Sequence, residues 1–258
     1  MYTQLELYEQ VPILAAVLLF GLVIGSFLNV CILRIPEKET VVTRRSHCMN
    51  CGYQLSWYDM IPVASYLALH GKCRKCKAEI SAQYPLVEAL NGILCVIVVF
   101  INGVQFNSLL YCLLVSALIV LSVIDFRTYE IPFGINVFIF VLGLAQLAAD
   151  YAGWKGYVAG FFAVSIPLEL LLLLSRGRAI GGGDVKLMAA AGLLLGWKKI
   201  ILALLLGCVL GSVIHIIRMK VSDAEHVLAM GPYLAMGIFI SALWGDTWIQ
   251  MYLNMLKV

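Results

Sequence analysis

Pro12-Ile-Leu-Ala-Ala-Val-Leu-Leu-Phe-Gly-Leu-Val-Ile-Gly-Ser-Phe-Leu-Asn-Val-Cys-Ile-Leu33 runs for 22 residues without a charge. As an α-helix it rises about 33 Å, enough to cross the hydrocarbon core of a bilayer. Outward from it, comparable segments recur at 86–102, 108–124, 132–149, 154–174, 180–197, 200–217 and 228–243. Each has roughly the 17–22 residues that a span demands. The composition, 62% hydrophobic and 13% charged, excludes an ordinary soluble domain. The expected fold is an all-α polytopic membrane protein of about eight transmembrane helices. The N-terminus lacks a basic region and carries Glu6 and Glu9. The first run is therefore expected to be a span, not a cleaved signal peptide. The segment 180–197 is the weakest of the eight, because it opens on three glycines, Asp184 and Lys186. A re-entrant or broken helix is the alternative there, allowed only where protein or water shields it.

Orientation follows from the basic residues. With the N-terminus outside, the cytoplasmic segments hold Arg34, Lys38, Arg44, Arg45, Lys72, Arg74, Lys75, Lys77, Arg127, Arg176, Arg178, Lys186, Arg218 and Lys220, 14 of the 18. Lys155, Lys198, Lys199 and Lys257 remain outside, and the adjacent pair Lys198–Lys199 is the awkward placement. The reverse orientation would put the basic majority outside and is rejected.

Two carboxylates interrupt the apolar pattern, in Leu121-Ser-Val-Ile-Asp125 and in Ile180-Gly-Gly-Gly-Asp184-Val-Lys186. A carboxylate at membrane depth is costly unless paired, protonated or hydrated, so it marks a functional site by default. Hydropathy and charge alone place Asp125 at the cytoplasmic end of the third span and Asp184 at the cytoplasmic start of the sixth. Two carboxylates at one depth on one side can share a proton, as in aspartic proteases. Glycines 181–183 offer backbone that can approach closely and leave room for an extended substrate. The competing structural readings are helix capping or pairing with Arg127 for Asp125, and a first-turn acid favoured by the helix dipole for Asp184. Each is plausible alone; the shared topology favours the site. Lys186 is read as an interfacial anchor. Asn29 and Glu88 also lie near spans, and Asp150 is expected to be a solvated residue on the outer side.

The long hydrophilic segment between the first two spans contains Cys48-Met-Asn-Cys51 and Cys73-Arg-Lys-Cys76. Two C-x2-C pairs can supply four thiolates to one Zn²⁺, as in zinc ribbons. Disulfides are disfavoured by the cytoplasmic placement, and a redox dithiol lacks the βαβ context such motifs use. His47 is read as a neighbour of the metal site, not a ligand. Cys31, Cys95, Cys112 and Cys208 fall in spans and read as small buried hydrophobes. The expected organisation is a first span at 1–33, a cytoplasmic zinc-ribbon-like loop at 34–85, and a multi-span aspartic protease domain at 86–258.

Gly25-Ser-Phe-Leu-Asn29-Val30 followed by Arg34-Ile-Pro36 resembles the opening of type IV prepilin peptidases. So does the paired-cysteine loop, with Trp57-Tyr-Asp-Met-Ile-Pro62 between its pairs and Tyr84-Pro-Leu-Val-Glu88 after them. The likeness continues through Asp125-Phe-Arg-Thr-Tyr-Glu-Ile-Pro132, Gly181-x-Gly183-Asp184-Val-Lys186 and Gly231-Pro232-Tyr-Leu. Ala229-Met230 departs from the pattern, where the family has a Pro-Phe pair. The resemblance implies a GxGD-type aspartic protease of the bacterial inner membrane that cleaves the basic leader from prepilins or pseudopilins after a glycine. Asp125 and Asp184 would be its catalytic pair. It also implies N-methylation of the new N-terminus with S-adenosylmethionine, and partners that are prepilins and membrane lipid, not nucleic acid. The chain shows no Rossmann-type glycine pattern to cradle that methyl donor. Glu79, Asp223 and Glu225 are candidate contacts for a basic leader.

Three other readings use the same residues. An ion- or proton-coupled transporter also employs intramembrane carboxylates, but the chain lacks internal repeats and a transporter has no need of the cysteine loop. A presenilin-like protease shares the GxGD device but carries a Pro-Ala-Leu motif absent here. A zinc-bearing scaffold would leave both aspartates unexplained.

Overall fold

The computed structural model describes residues 7–42, 46–221 and 228–256. Glu6, Arg44, Arg45, Asp223, Glu225 and Lys257 lie outside them. Among the described residues the chain is helical, with two isolated antiparallel bridges and no strand. It divides into two compact units, Met1–Val120 and Leu121–Val258.

The first unit contains α1 (Leu7–Arg34), the cysteine loop with a 3-10 turn at Trp57–Met60 and a short helix α2 (Ala64–Ala68), α3 (Gln83–Asn102) and most of α4 (Phe106–Thr128). α1 packs on α3 through small residues. A Cβ on Gly21 would come within 2.7 Å of the Gly92 Cα, and one on Gly25 within 2.6 Å of the Glu88 Cα. Such close backbone approach is how helices gain contact in lipid, where no hydrophobic force brings them together. Buried polar groups tie the layer. Asn91 donates to the Gly21 carbonyl at 2.7 Å and accepts from the Ser116 hydroxyl at 2.8 Å. Asn29 donates to the carbonyls of Gly25 and Tyr84.

The second unit holds the end of α4, then α5 (Phe133–Ala149), α6 (Trp154–Leu174), α7 (Gly182–Leu195), α8 (Trp197–Val221) and α9 (Gly231–Leu256). α7 is its centre: α5, α6, α8 and α9 all contact it. Gly160 of α6 and Gly192 of α7 stand so close that a Cβ on either would run into the other's carbonyl group. Gly143 of α5 faces Leu193 in the same way. On the far pair, Gly237 of α9 meets the carbonyl of Ala203 on α8.

Among the described residues, eight helices of 14 residues or more fall on the eight expected segments. Five of the described helices are long and apolar enough to cross a membrane, and α5 is a shorter apolar one. α7 settles the doubtful segment: it is one unbroken helix of 14 residues, buried from Asp184 to Leu195 except at Lys186. At 1.5 Å per residue it is about 21 Å long, short of a full crossing, and it is apolar all round because protein surrounds it. α9 runs well beyond the expected end at 243. Asp246, whose charge lowers the local hydropathy, continues the helix and pairs with Lys199 at 2.6 Å. That pair also accounts for half of the awkward Lys198–Lys199 placement. Lys198 lies 5.6 Å from the Trp197 ring, as an interfacial anchor would.

Candidate active site and cysteine cluster

Asp125 occupies the last turn of α4, where Thr128 donates to the Ile124 carbonyl and Tyr129 turns the chain with a left-handed φ of 55°. The turn sends residues 130–132 back toward the start of α5. Asp125 is 5% exposed. A carboxylate at a helix C-terminus faces carbonyl oxygens, which disfavours its charge. The N-terminus of α9 offsets this: the Gly231 N–H donates to the Asp125 Oδ2 at 2.8 Å. A Cβ at position 231 would fall 2.7 Å from that oxygen, so only glycine lets the backbone come so near.

Asp184 sits in the first turn of α7, whose N-cap is Gly181. Its carboxylate lies against the Gly181 backbone, where an added Cβ would be 3.1 Å from Oδ2. It is 8% exposed, and its Oδ1 has no hydrogen-bond partner. Gly183 lies against Ile131, where an added Cβ would be 2.9 Å from the Ile131 Cβ. Asn136, buried on α5, donates to the Gly183 carbonyl at 3.3 Å and holds the glycine turn in place. Asp125 and Asp184 line one cavity of about 300 Å³, together with residues 129–131 and 181–183. Each carboxylate therefore faces the positive end of a helix dipole, α9 for Asp125 and α7 for Asp184. The Lys186 ammonium is directed to the Phe133 ring, 5.5 Å from its centroid.

The cysteine loop is built from two matching turns. In the first, Cys48 N–H donates to the Tyr53 carbonyl, Gly52 N–H to the Cys48 carbonyl and Leu55 N–H to the Ser46 carbonyl. The same three bonds recur from Cys73 to Ala78, Lys77 to Cys73 and Ile80 to Gly71. Gly52 and Lys77 occupy equivalent left-handed positions, with φ of 68° and 61°. The four sulfurs of Cys48, Cys51, Cys73 and Cys76 lie within 4.8 Å of one another, a set that can hold a metal ion. Backbone N–H groups are aimed at the sulfurs. That of Ala78 is the largest influence drawing the Cys76 thiol down to about 6, and those of Cys51 and Asn50 lower Cys48. Donors of this kind favour thiolates at Cys76 and Cys48, the form that binds metal. At Cys51 the Tyr53 N–H is outweighed by burial together with hydrogen bonds to the other thiols, which push it up to about 11. His47 is not in the cluster; it forms the bridge to Gln54. Between the turns, the buried Asp59 carboxylate accepts from Arg74 at 2.7 Å, from Tyr53 at 3.2 Å and from the Ser56 N–H at 3.3 Å.

Cys208 and Cys112 depart from expectation, and Asp150 and Glu88 have partners that the sequence did not indicate. Asp150 is exposed but also accepts from the Tyr157 hydroxyl at 2.8 Å and caps the turn before α6. Cys208 faces outward and is exposed, and Cys112 is half-buried. Glu88 is buried and accepts from the Val63 N–H at 2.7 Å. The roles of Gly231 and Asn136 left no trace in the sequence beyond one glycine-proline step and one polar residue in an apolar run.

Fold and cavity define a multi-pass membrane protein with a buried pair of carboxylates on two helix termini. A family model described as the bacterial peptidase A24 N-terminal domain matches residues 17–102, and one described as the type IV leader peptidase family matches residues 112–216. The prepilin leader peptidase/N-methyltransferase of Aeromonas salmonicida (strain A449) is 33% identical over 284 residues, covering 97% of this chain and 98% of that protein. Proteins of the same name from Pseudomonas putida and Pseudomonas aeruginosa are 34% and 32% identical, the alignments covering 88% and 92% of this chain. No solved structure matches. The chain belongs to the type IV leader peptidase family.

Proposed function

We propose that this protein is a membrane aspartic endopeptidase that removes the leader peptide from type IV prepilins or pseudopilins and then N-methylates the new N-terminus. The observation that carries the peptidase reading is the pair Asp125 and Asp184, two buried carboxylates lining one cavity. The names of the relatives supply both activities.

In the mechanism we assign, one carboxylate is ionised and takes a proton from the attacking water, while the other is protonated and donates to the scissile carbonyl oxygen. Like charges held close cannot both ionise, so proximity sets the two states. When the tetrahedral species collapses, a proton passes to the departing amine and the C–N bond breaks. Burial excludes bulk water and strengthens both proton-transfer interactions.

Cys48, Cys51, Cys73 and Cys76 are proposed to hold one structural Zn²⁺. That ion would cross-link the two turns of the loop and take no part in peptide hydrolysis. S-adenosylmethionine is the proposed methyl donor, a co-substrate to which we assign no residues. We place the protein in the bacterial cytoplasmic membrane with the cysteine loop and the carboxylates on the cytoplasmic side, on the strength of the basic-residue distribution. Residues 34–85 would then form the metal-binding loop and residues 86–258 the peptidase portion. Family membership does not favour the transporter reading.

The test is direct. Asp125→Asn and Asp184→Asn, purified and assayed on a prepilin, are each expected to lose activity by a factor on the order of 10² to 10⁴ while inserting and folding normally. Near-normal turnover by either variant would remove the assignment.

A further inference from the structure

The segment between the two cysteine pairs is apolar in a way that a loop exposed to water does not need. From Met60 to Leu69 it carries no charge. Trp57 is 75% exposed and Leu67 65% exposed, and Met60 and Ile61 are exposed beside them. These side chains form one wall of an apolar groove of about 610 Å³ whose other wall is Leu19, Leu22 and Val23 of α1.

The depth of that second wall is informative. The membrane-length part of α1 is Gln10–Arg34, and Arg34 marks its basic end. At 1.5 Å per residue, Val23 and Leu19 lie about 16 and 22 Å along the helix from Arg34, inside a hydrocarbon core about 30 Å thick. The segment that packs beside them shares that depth. Uncharged apolar runs of 10–14 residues are the length of re-entrant segments.

Backbone at such depth must have its polar groups satisfied by protein, and several of these are. Ser65, Leu67, Leu69, His70 and Gly71 each donate to a backbone carbonyl of the same segment. Val63 takes a left-handed φ of 58°, costly for a β-branched residue, and its N–H has a carboxylate acceptor, Glu88 of α3 at 2.7 Å. A buried carboxylate in a span thereby acquires a physical reason: it satisfies a backbone donor of the neighbouring segment.

We propose that residues 60–69 form a membrane-embedded element, with Trp57 at its edge, and that the groove between this element and α1 is filled by lipid acyl chains. The occupant follows from continuity. The outward faces of Leu19 and Val23, 63% and 58% exposed, belong to a span that lipid must cover, and the groove opens from the same face. Lipid would then reach the connection between the two metal-binding turns.

The full-length protein in nanodiscs of phosphatidylcholine brominated at mid-chain provides the test. The emission difference between wild type and Trp57→Phe reports Trp57 alone. Bromine is expected to reduce that component at least twofold relative to unbrominated lipid, with little effect of aqueous acrylamide. Leu67→Trp in the Trp57→Phe background reads the other end of the groove independently and is expected to behave alike. Quenching of both positions by acrylamide and not by bromine would place the element in water and overturn the proposal. Quenching of both by neither agent would mean that protein seals the groove, which overturns it equally.

Discussion

Gly231 shows how a single backbone position can govern the proposed catalytic pair. Its N–H is the one hydrogen-bond donor recorded on the Asp125 carboxylate among the described residues, and it comes from a residue 106 positions away. Gly231→Ala would put a methyl group 2.7 Å from Oδ2 and 3.0 Å from Cγ, with Leu121 as near on another side. The carboxylate must move or rotate. A misplacement of about 1 Å at a reacting group costs on the order of 10²-fold in rate, so kcat for leader cleavage is expected to fall by that order with Tm little changed. Gly134→Ala, where an added Cβ meets nothing within 4 Å, serves as the control. Asp125 and Asp184 were legible in the sequence because a charge in an apolar run is conspicuous. Gly231 as a donor was not, since a backbone N–H has no side-chain signature, and neither was Asn136, whose bond to the Gly183 carbonyl depends on how α5 meets α7.

At the scale of elements, α7 explains why hydropathy was least certain where the structure is most enclosed. Its glycines and Asp184 lower its apolar character at one end, yet neighbouring helices cover nearly every side chain. That enclosure depends on the Gly160–Gly192 crossing. Gly192→Val is expected to force α6 and α7 apart and to destabilise by about 1–3 kcal/mol or more, the range for overpacking a filled core. Thermal unfolding in detergent would read it as a lowered Tm, whereas Gly156→Ala, also in α6 but in open space, is expected to leave Tm unchanged. The cysteine loop was legible for the opposite reason, because ligand spacing is a local property. Its repeated turn geometry was hidden, since Lys77 stands where the first turn has Gly52. If the four thiolates hold zinc, freshly purified chelator-free protein carries about one ion per chain, and single Cys→Ser changes lower that content. The same changes are expected to render the loop protease-sensitive with only partial loss of leader cleavage, because the cysteines and the carboxylates belong to different compact units. Elemental analysis that finds no zinc would refute the assignment.

For the molecule as a whole, eight helices could be counted from hydropathy because each span is a local pattern of sufficient length, whereas their packing rests on glycine contacts that pair residues far apart in sequence. The same scale fixes what the peptidase can cut. If the carboxylates lie at the cytoplasmic interface, as proposed from the basic-residue distribution, the expected substrate is a single-span protein whose basic leader lies in the cytoplasm and whose scissile bond lies just outside its apolar stretch. A helix hides that carbonyl in its own hydrogen bonds, so the chain must be extended where it passes the two carboxylates. The cavity proposed to receive it has a volume of only about 300 Å³ and is walled on one side by glycine backbone. A glycine before the cut suits such a passage, since it extends without a side chain to accommodate. Replacing it with valine is expected to abolish cleavage, while neutralising the leader's basic residues is expected only to slow it, because exposed charge pairs contribute little. Mass spectrometry of the products decides between outcomes: efficient cutting after the valine, or a cut on the outer side of the span, is incompatible with Asp125 and Asp184 acting as the peptidase pair at this depth.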